Sequence, residues 1–253
     1  MPENPIVNAQ DDGLGIYDPA FVKGVFDRCS TRYITFSWLC SFGFTERWRR
    51  QCTAALALEF APVSTGYDLM AGTGEAWPHL LALYPQIRSI TAVDISTGMH
   101  ARAVERLHRH RAHKIDFIED DILRSRLPAD SADFIVSTFG LKTFNGSQHR
   151  QLAGLVAKTL KRGGRFSLIE ASDPKGWWLR PLYLFYLYRV LPLVERFLLR
   201  GAQDFSMIGQ YCANFGSTED FAEMLREAGL EVRYRRYFFG CATGVSGWKP
   251  LQR

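Results

Sequence analysis

The chain lacks most of the features that mark secreted, metal-built or membrane-spanning proteins. Its five cysteines, Cys29, Cys40, Cys52, Cys212 and Cys241, are odd in number, scattered and without CxxC spacing. That argues against a disulfide framework or a zinc site and for thiols in a reducing compartment. No basic segment followed by an apolar one opens the sequence, so a secretory leader is not expected. The tempting apolar stretch 177–199 is interrupted by Arg180, Arg189, Glu195 and Arg196, and by Pro181 and Pro192. A charge near the centre of a span costs about 2.5–3.5 kcal/mol, so this stretch is not read as a span. His108, His110 and His113 have arginine and lysine neighbours rather than carboxylates, and no metal site is expected there. Net charge is +5, much of it in 102–114 and 226–236. Neither patch interleaves aromatics as nucleic-acid modules do, so both read as solvated faces and no nucleic-acid partner is expected. Internal repeats and domain linkers are absent too. A polar arm over residues 1–16, with Pro2 and Pro5, is expected to be loosely attached. Residues 17–253 read as one domain.

What is present starts with a glycine turn. Tyr67-Asp68-Leu69-Met70-Ala71-Gly72-Thr73-Gly74-Glu75 reads as a strand entering a turn, and Ile90-Thr91-Ala92-Val93-Asp94 as a second strand ending in an acid. This is half of a doubly wound nucleotide site. Glycines at 72 and 74 let backbone approach a ligand, and Asp94 can accept from ribose hydroxyls. A dinucleotide fingerprint needs a small residue at 77, where helix and strand pack closely; Trp77 stands there instead. The turn therefore suits a ribose ligand without a pyrophosphate, and S-adenosyl-L-methionine meets that description.

Strands and helices then alternate. Strands are expected over 66–71, 89–93, 115–119, 132–138, 165–170, 231–239 and 245–249. Helices are expected over 77–84, 98–110 with Ser96 or Thr97 as cap, 148–159 stopped by Arg162-Gly163-Gly164, and 218–228 ended by Gly229. Alternation of this kind implies a parallel sheet with right-handed crossovers and ligands at the carboxyl ends of its strands. The segment 18–58 is helical with a break at Ser41-Phe42-Gly43-Phe44. Its crowded aromatics fit a cover over the ligand site or an ordinary packing helix equally well. The stretch after strand five, about 174–216, is expected to be an inserted lid whose aromatic and basic residues can touch a membrane surface. The fold class is thus α/β: a doubly wound, seven-stranded, mostly parallel Rossmann-like sheet with N-terminal helices and a helical lid.

With these motifs in order, the chain resembles the class I methyltransferases, and among them the ubiquinone/menaquinone biosynthesis methyltransferase (UbiE) family, over nearly its whole length after residue 17. Phe26-Asp27 with Tyr33, and Ser41-Phe42-Gly43 with Arg47-Trp48-Arg49-Arg50, look like that family's N-terminal signature. Asp68, Gly72, Thr73 and Gly74 match its first motif, and Asp94, Ser96 and Met99 its second. Asp120-Asp121, Leu127-Pro128, Asp130-Ser131, Phe139-Gly140-Leu141 and Leu160–Arg165 follow at the expected places, then Tyr183, Tyr186 and Val190-Leu191-Pro192. The departures fall where an acceptor should bind. Lys142-Thr143 replaces Arg-Asn, Phe205–Tyr211 replaces a Tyr-x-Tyr-Leu-x-Glu-Ser run with Gln210 in place of Glu, and the chain ends on a different tail.

The resemblance implies an S-adenosylmethionine-dependent methyltransferase. Asp68, Gly72, Thr73, Gly74, Asp94, Ile95, Met99, Asp121, Ile122, Thr138 and Phe139 are its expected cofactor-binding residues. Asp120 is an alternative to Asp121, which a capping role would also explain. Core packing would equally explain Thr138 and Phe139. For a phenolic acceptor some group must take or relay a proton. Glu170, Tyr183, Tyr186, Tyr211 and Lys142 are the candidates, each also compatible with packing, and His149 reads as a helix-surface residue. No metal is required, because the sulfonium is already activated. The reading is a cytoplasmic enzyme that C-methylates a small quinol-like or other apolar aromatic substrate. Contact with a membrane surface and a homodimer stay open. The alternatives are an O- or N-methyltransferase of a secondary metabolite, and a catalytically silent scaffold of a quinone-biosynthesis complex. DNA methylation is disfavoured, since Ser137-Thr138-Phe139-Gly140 stands where a DPPY-type tetrad would be.

Overall fold

The computed structural model describes residues 15–58, 64–107, 114–198 and 206–251. Its centre is one seven-stranded sheet: β1 Ser64–Leu69, β2 Ile87–Asp94, β3 Lys114–Glu119, β4 Ala132–Thr138, β5 Leu160–Ala171, β6 Glu231–Tyr237 and β7 Ala242–Trp248. The strand order is β3-β2-β1-β4-β5-β7-β6. β1 to β5 pair in parallel, and β7 runs antiparallel between β5 and β6. The order reverses beside β1, which opens a crevice at the carboxyl ends of β1, β2 and β4.

Three helices precede the sheet: α1 Pro19–Cys29, α2 Tyr33–Cys40 and α3 Phe44–Ala54. Asp18 caps α1 by accepting from the Phe21 amide, with Pro19 at its first position. The expected break before α3 is a turn in which Gly43 is left-handed (φ 76°). Within the sheet lie α4 Trp77–Leu83, α5 Thr97–Leu107 and α6 Gly146–Thr159. Ser96 caps α5, its hydroxyl accepting from the Met99 amide. α6 starts two residues earlier than expected because Asn145 and Gln148 form a reciprocal capping box.

One expectation is corrected at the end of α6. Arg162-Gly163-Gly164 does not stop the helix. Leu160 is already extended, and the glycines lie inside β5, where Gly163 (φ +77°) donates to the Lys249 carbonyl. The pair makes a bulge at the start of the strand rather than a helix terminator.

Between β5 and α10 (Glu219–Glu227) sit α7 Arg180–Phe185, a π-helical turn Tyr186–Val190, α8 Leu191–Leu198 and α9 Ser206–Phe215. The Asp173 amide donates to Gly216 at 2.8 Å and closes the base of this insertion. Leu187, Leu191 and Cys212 of the insertion pack with Val25, Cys29 and Phe36 of the N-terminal helices in a cluster of their own. The aromatic crowding of 18–58 therefore has two consequences, a second small core and a cover over the crevice. Two larger clusters fill the faces of the sheet. The expected arm and the three clustered histidines lie outside the described residues up to 14 and over 108–113. Gly15 and Ile16 belong to a 3₁₀ turn ending at Tyr17. Among the described residues no helix is long and apolar enough to cross a membrane.

Candidate active site

The turn after β1 is built around Trp77. Its indole lies against Gly74, where a Cβ would come within 2.4 Å of the ring, and its Nε1 donates to Asp68 Oδ2 at 2.9 Å. The bulk at position 77 thus fills the space over a glycine and ties down the buried acid beneath the loop. Burial pushes Asp68 up to about 7, against the Trp77 hydrogen bond, with Asp94 adding to the rise. Asp68 Oδ1 and Thr73 Oγ1 are buried with no hydrogen-bond partner among the described residues. Such atoms are costly unless something satisfies them.

Asp94 ends β2. One of its oxygens accepts from the Gly72 amide at 2.7 Å and the other from the Ser96 amide at 2.9 Å. Burial raises its pKa, and those two amides oppose the rise. Gly72 (φ +57°) has open space where its Cβ would point. A cavity runs from here past Ile95, Met99, Asp120, Asp121 and Ile122 to Thr138, Phe139 and Phe144. Asp121 Oδ1 accepts from the Leu123 amide, so it caps its own turn as well as facing the cavity. Asp120 accepts from the Ser125 hydroxyl. Asp68, Thr73 and Gly74 lie behind the cavity wall rather than on it.

α1 and α2 cover this crevice. Val22, Phe26 and Tyr33 line it. Asp27 accepts from the Ser96 hydroxyl at 2.6 Å and the Gly98 amide at 2.8 Å. Lys23 Nζ donates to the Ile95 carbonyl at 3.0 Å. These bonds fasten α1 to the loop that carries Asp94. Tyr33 makes no hydrogen bond through its hydroxyl among the described residues; desolvation pushes its phenol up to about 12, so it stays protonated at neutral pH. Arg49, buried, pairs with Glu75 at 2.5 Å and lies 5.2 Å from the centre of the Phe139 ring. Glu75 lines the cavity.

The expected proton-handling residues do not line it. Glu170 and Lys142 form a buried ion pair at 3.0 Å. Glu170 also accepts from the amides of Lys142 and Ala171, and Lys142 Nζ donates to the Phe139 carbonyl at 2.6 Å. The three tyrosines are tethers. Tyr183 donates to the Ser172 carbonyl, Tyr186 to Cys40 and Tyr211 to Ile16. Each joins the insertion to another part of the chain. Gln210 is exposed, and residue 205 is outside the described residues. His149 is half-buried rather than fully on the surface; burial lowers its pKa, and its Nε2 lies 2.8 Å from the Leu141 carbonyl.

The model of the ubiE/COQ5 methyltransferase family matches residues 15–249. The chain belongs to that family. The Brucella anthropi ubiquinone/menaquinone biosynthesis C-methyltransferase UbiE is 27% identical over 230 residues, covering 90% of this chain and 87% of that protein. The demethylmenaquinone methyltransferase of Lactiplantibacillus plantarum is 26% identical, covering 91% and 97%. Human N-acetylserotonin methyltransferase, solved with S-adenosylmethionine, superposes with a TM-score of 0.58 at 21% identity over 87% of this chain and 58% of that one. At that identity it shows the fold alone.

As a member of the ubiE/COQ5 family the chain is a methyltransferase that uses S-adenosylmethionine. The residues fit that cofactor. Each Asp94 oxygen holds one amide and keeps a lone pair for a ribose hydroxyl. Gly72 leaves its side open, and Asp68 supports the loop from behind the wall through Trp77. When bound, the cofactor supplies a methyl group already activated on a sulfonium. Asp27, Tyr33 and Arg49 belong to the N-terminal signature, and the packing of α1 to α3 over the crevice gives each its place. Glu75, next to the turn, carried no spacing signal of its own.

Proposed function

We propose that this methyltransferase transfers the methyl group to a ring carbon of a quinol-like or other apolar aromatic small molecule, in the cytoplasm and close to a membrane surface. One observation carries the reading: past Asp94 the cavity wall turns aromatic, with Phe26, Phe139 and Phe144, and the phenols of Tyr17 and Tyr33 join it. Rings suit an apolar aromatic acceptor, and a phenol held protonated suits a hydroxyl or carbonyl oxygen on it. Asp94, Gly72, Ile95, Met99, Asp121 and Ile122 hold the nucleoside end, Asp68 and Thr73 support the loop, and Thr138 and Phe139 separate donor from acceptor. Holding the acceptor carbon in line with the methyl supplies much of the rate. Lys142 and Glu170 act by position, since the ammonium group fixes the carbonyl of Phe139. Tyr183, Tyr186 and Tyr211 hold the insertion closed as a lid. The relatives named for quinone biosynthesis support the same acceptor class.

Incubation with methyl-labelled S-adenosylmethionine and a panel of demethyl-quinols, followed by mass spectrometry and product NMR, tests this. A new carbon–methyl bond is the expected result. Label on oxygen or nitrogen would replace it with heteroatom methylation of a secondary metabolite. Intact cofactor binding with no transfer across the panel would leave a silent scaffold.

A further inference from the structure

Seven non-glycine residues among those described have a positive φ, and three of them are phenylalanines on the surface: Phe42 (φ 51°), Phe238 (φ 41°) and Phe239 (φ 57°). A bulky side chain rarely adopts this conformation. Phe42 is 75% exposed and Phe239 63%, so burial of the rings does not explain it. The three come from distant parts of the chain and lie on one continuous aromatic strip. Phe239 stacks on Trp177 with ring centres 5.2 Å apart, Phe238 meets Phe44 at 4.4 Å, and beyond Gly43 the ring of Phe42 meets Tyr186 at 5.6 Å. Arg236 holds the turn in place by donating to the carbonyls of Lys175 and Phe239. Trp38, 58% exposed, and Trp178, 80% exposed, extend the strip. Leu182, Phe185 and Tyr188 follow at intervals of three along the insertion, and all are exposed.

The charge on these segments has one sign. Residues 32–45, 174–194 and 236–242 contain no aspartate or glutamate and carry Arg32, Lys175, Arg180, Arg189 and Arg236. At their borders Glu46 pairs with His79 and Asp173 pairs with Arg180 and offsets its charge, and Glu195 follows the second segment. Exposed tryptophan and phenylalanine interspersed with arginine suit the boundary between lipid headgroups and acyl chains. A basic rim adds attraction to anionic lipid. A contiguous apolar patch of this kind is uncommon on a monomer that binds nothing there.

We propose that this face, from Trp38 and Phe42 across the insertion to Phe239, docks the enzyme on an anionic bilayer surface. The same small helix serves both ends of the arrangement: Tyr33 in the first turn of α2 lines the cavity, and Trp38 and Leu39 in its last turn are exposed. A docked enzyme would therefore hold its cover helix against the lipid. This extends the reading of an apolar acceptor near a membrane, but its test needs no acceptor.

Co-sedimentation of the full chain with vesicles of phosphatidylglycerol and phosphatidylcholine, compared with phosphatidylcholine alone, is that test. Binding is expected to the anionic vesicles and to weaken with salt. Phe42→Asn and Phe239→Asn suit the left-handed backbone, so folding survives and thermal stability is not lowered. Each is expected to reduce partitioning roughly tenfold, while calorimetric affinity for S-adenosylmethionine stays unchanged. Three results would overturn the proposal: a wild-type chain that binds cofactor yet stays in solution with anionic vesicles, a double variant that partitions like the wild type, or a dimer that the two substitutions split. The last would assign the face to a second copy. Loss of cofactor binding in the wild type would instead count against the cofactor site, independently of where the chain sediments.

Discussion

Asp94 and Glu170 are acids at the carboxyl ends of two strands in one sheet, and their surroundings set them to different work. Asp94 is held by two backbone amides, one on each oxygen. Amides fix a carboxylate without filling it, and the free lone pairs face the cavity. Glu170 accepts from two amides and from the ammonium of Lys142, with 0% and 3% of the two side chains exposed. Its capacity is consumed inside the protein. A strand-end acid is therefore a ligand group when its partners are backbone and a brace when its partner is a buried cation.

The comparison breaks first at Glu170. Glu170→Gln strands the buried Lys142 charge, and removal of one partner of such a pair costs about 3–5 kcal/mol. Chemical unfolding should show that loss, and Glu170→Gln with Lys142→Met should recover most of it, since the pair is then replaced by neutral groups. If the single substitution leaves stability intact and abolishes methyl transfer, Glu170 is chemical rather than structural. At Asp94 the sign of the result is reversed. Asp94→Ala should leave the fold in place and weaken S-adenosylmethionine binding by about a hundredfold or more, because two hydrogen bonds to a charged acceptor are lost. Isothermal calorimetry reads this directly. Unchanged affinity would mean the cofactor lies elsewhere.

The same contrast explains what could be read from the sequence. The cofactor half is local. Gly72, Gly74 and Asp94 sit within one strand-turn-helix-strand unit, where spacing alone fixes geometry, and Trp77 excluded the pyrophosphate because it occupies a position within that unit. The sheet was legible for the same reason, apart from Gly163-Gly164, a pair that can end a helix or bulge a strand and is decided by its neighbour Lys249. The remaining cavity wall is assembled from α1, α2 and the loop after β4, which lie more than a hundred residues apart. Periodicity cannot say that Tyr33 would face the cavity while Tyr183, Tyr186 and Tyr211 would spend their hydroxyls on carbonyls. Nor can it say that Lys142 would meet Glu170. A tyrosine's role depends on which acceptor lies at the end of its ring, and that is a tertiary fact.

Tyr33 separates a cavity phenol from those tethers. Tyr33→Phe keeps the ring and its packing on Phe26. It should lower kcat/KM for a quinol-like acceptor roughly tenfold to thirtyfold, the effect of leaving one polar group unpaired, with the cofactor Kd unchanged. Tyr183→Phe should instead leave catalysis near wild type and loosen the insertion, seen as faster hydrogen exchange over 180–190. A Tyr33→Phe enzyme with full activity would place the acceptor away from this wall.

The smallest effect concerns Asp68, the acid beneath the glycine loop. Burial moves it from 3.8 to about 7. Between those values the folded chain holds a proton that the unfolded chain has released. Its stabilising contribution is thus complete below the unfolded value and is lost as pH rises towards 7. Asp68→Asn imitates the protonated form, so its stability relative to wild type should grow by up to about 1.4 kcal/mol per pH unit across that window and then level off. Cofactor binding moves the other way, because an amino group is held better by the ionised acid. Wild-type affinity should rise about fivefold from pH 6 to 7, a range in which an α-amino group stays protonated while a group with a pKa near 7 ionises, and the Asn variant should be flat. A wild-type affinity with no such rise, set beside a stability curve that does bend near 7, would keep Asp68 as a brace for Trp77 and remove it from contact with the cofactor. Asp94 would then be the ligand carboxylate of this strand-turn-strand unit, and Asp68 its support.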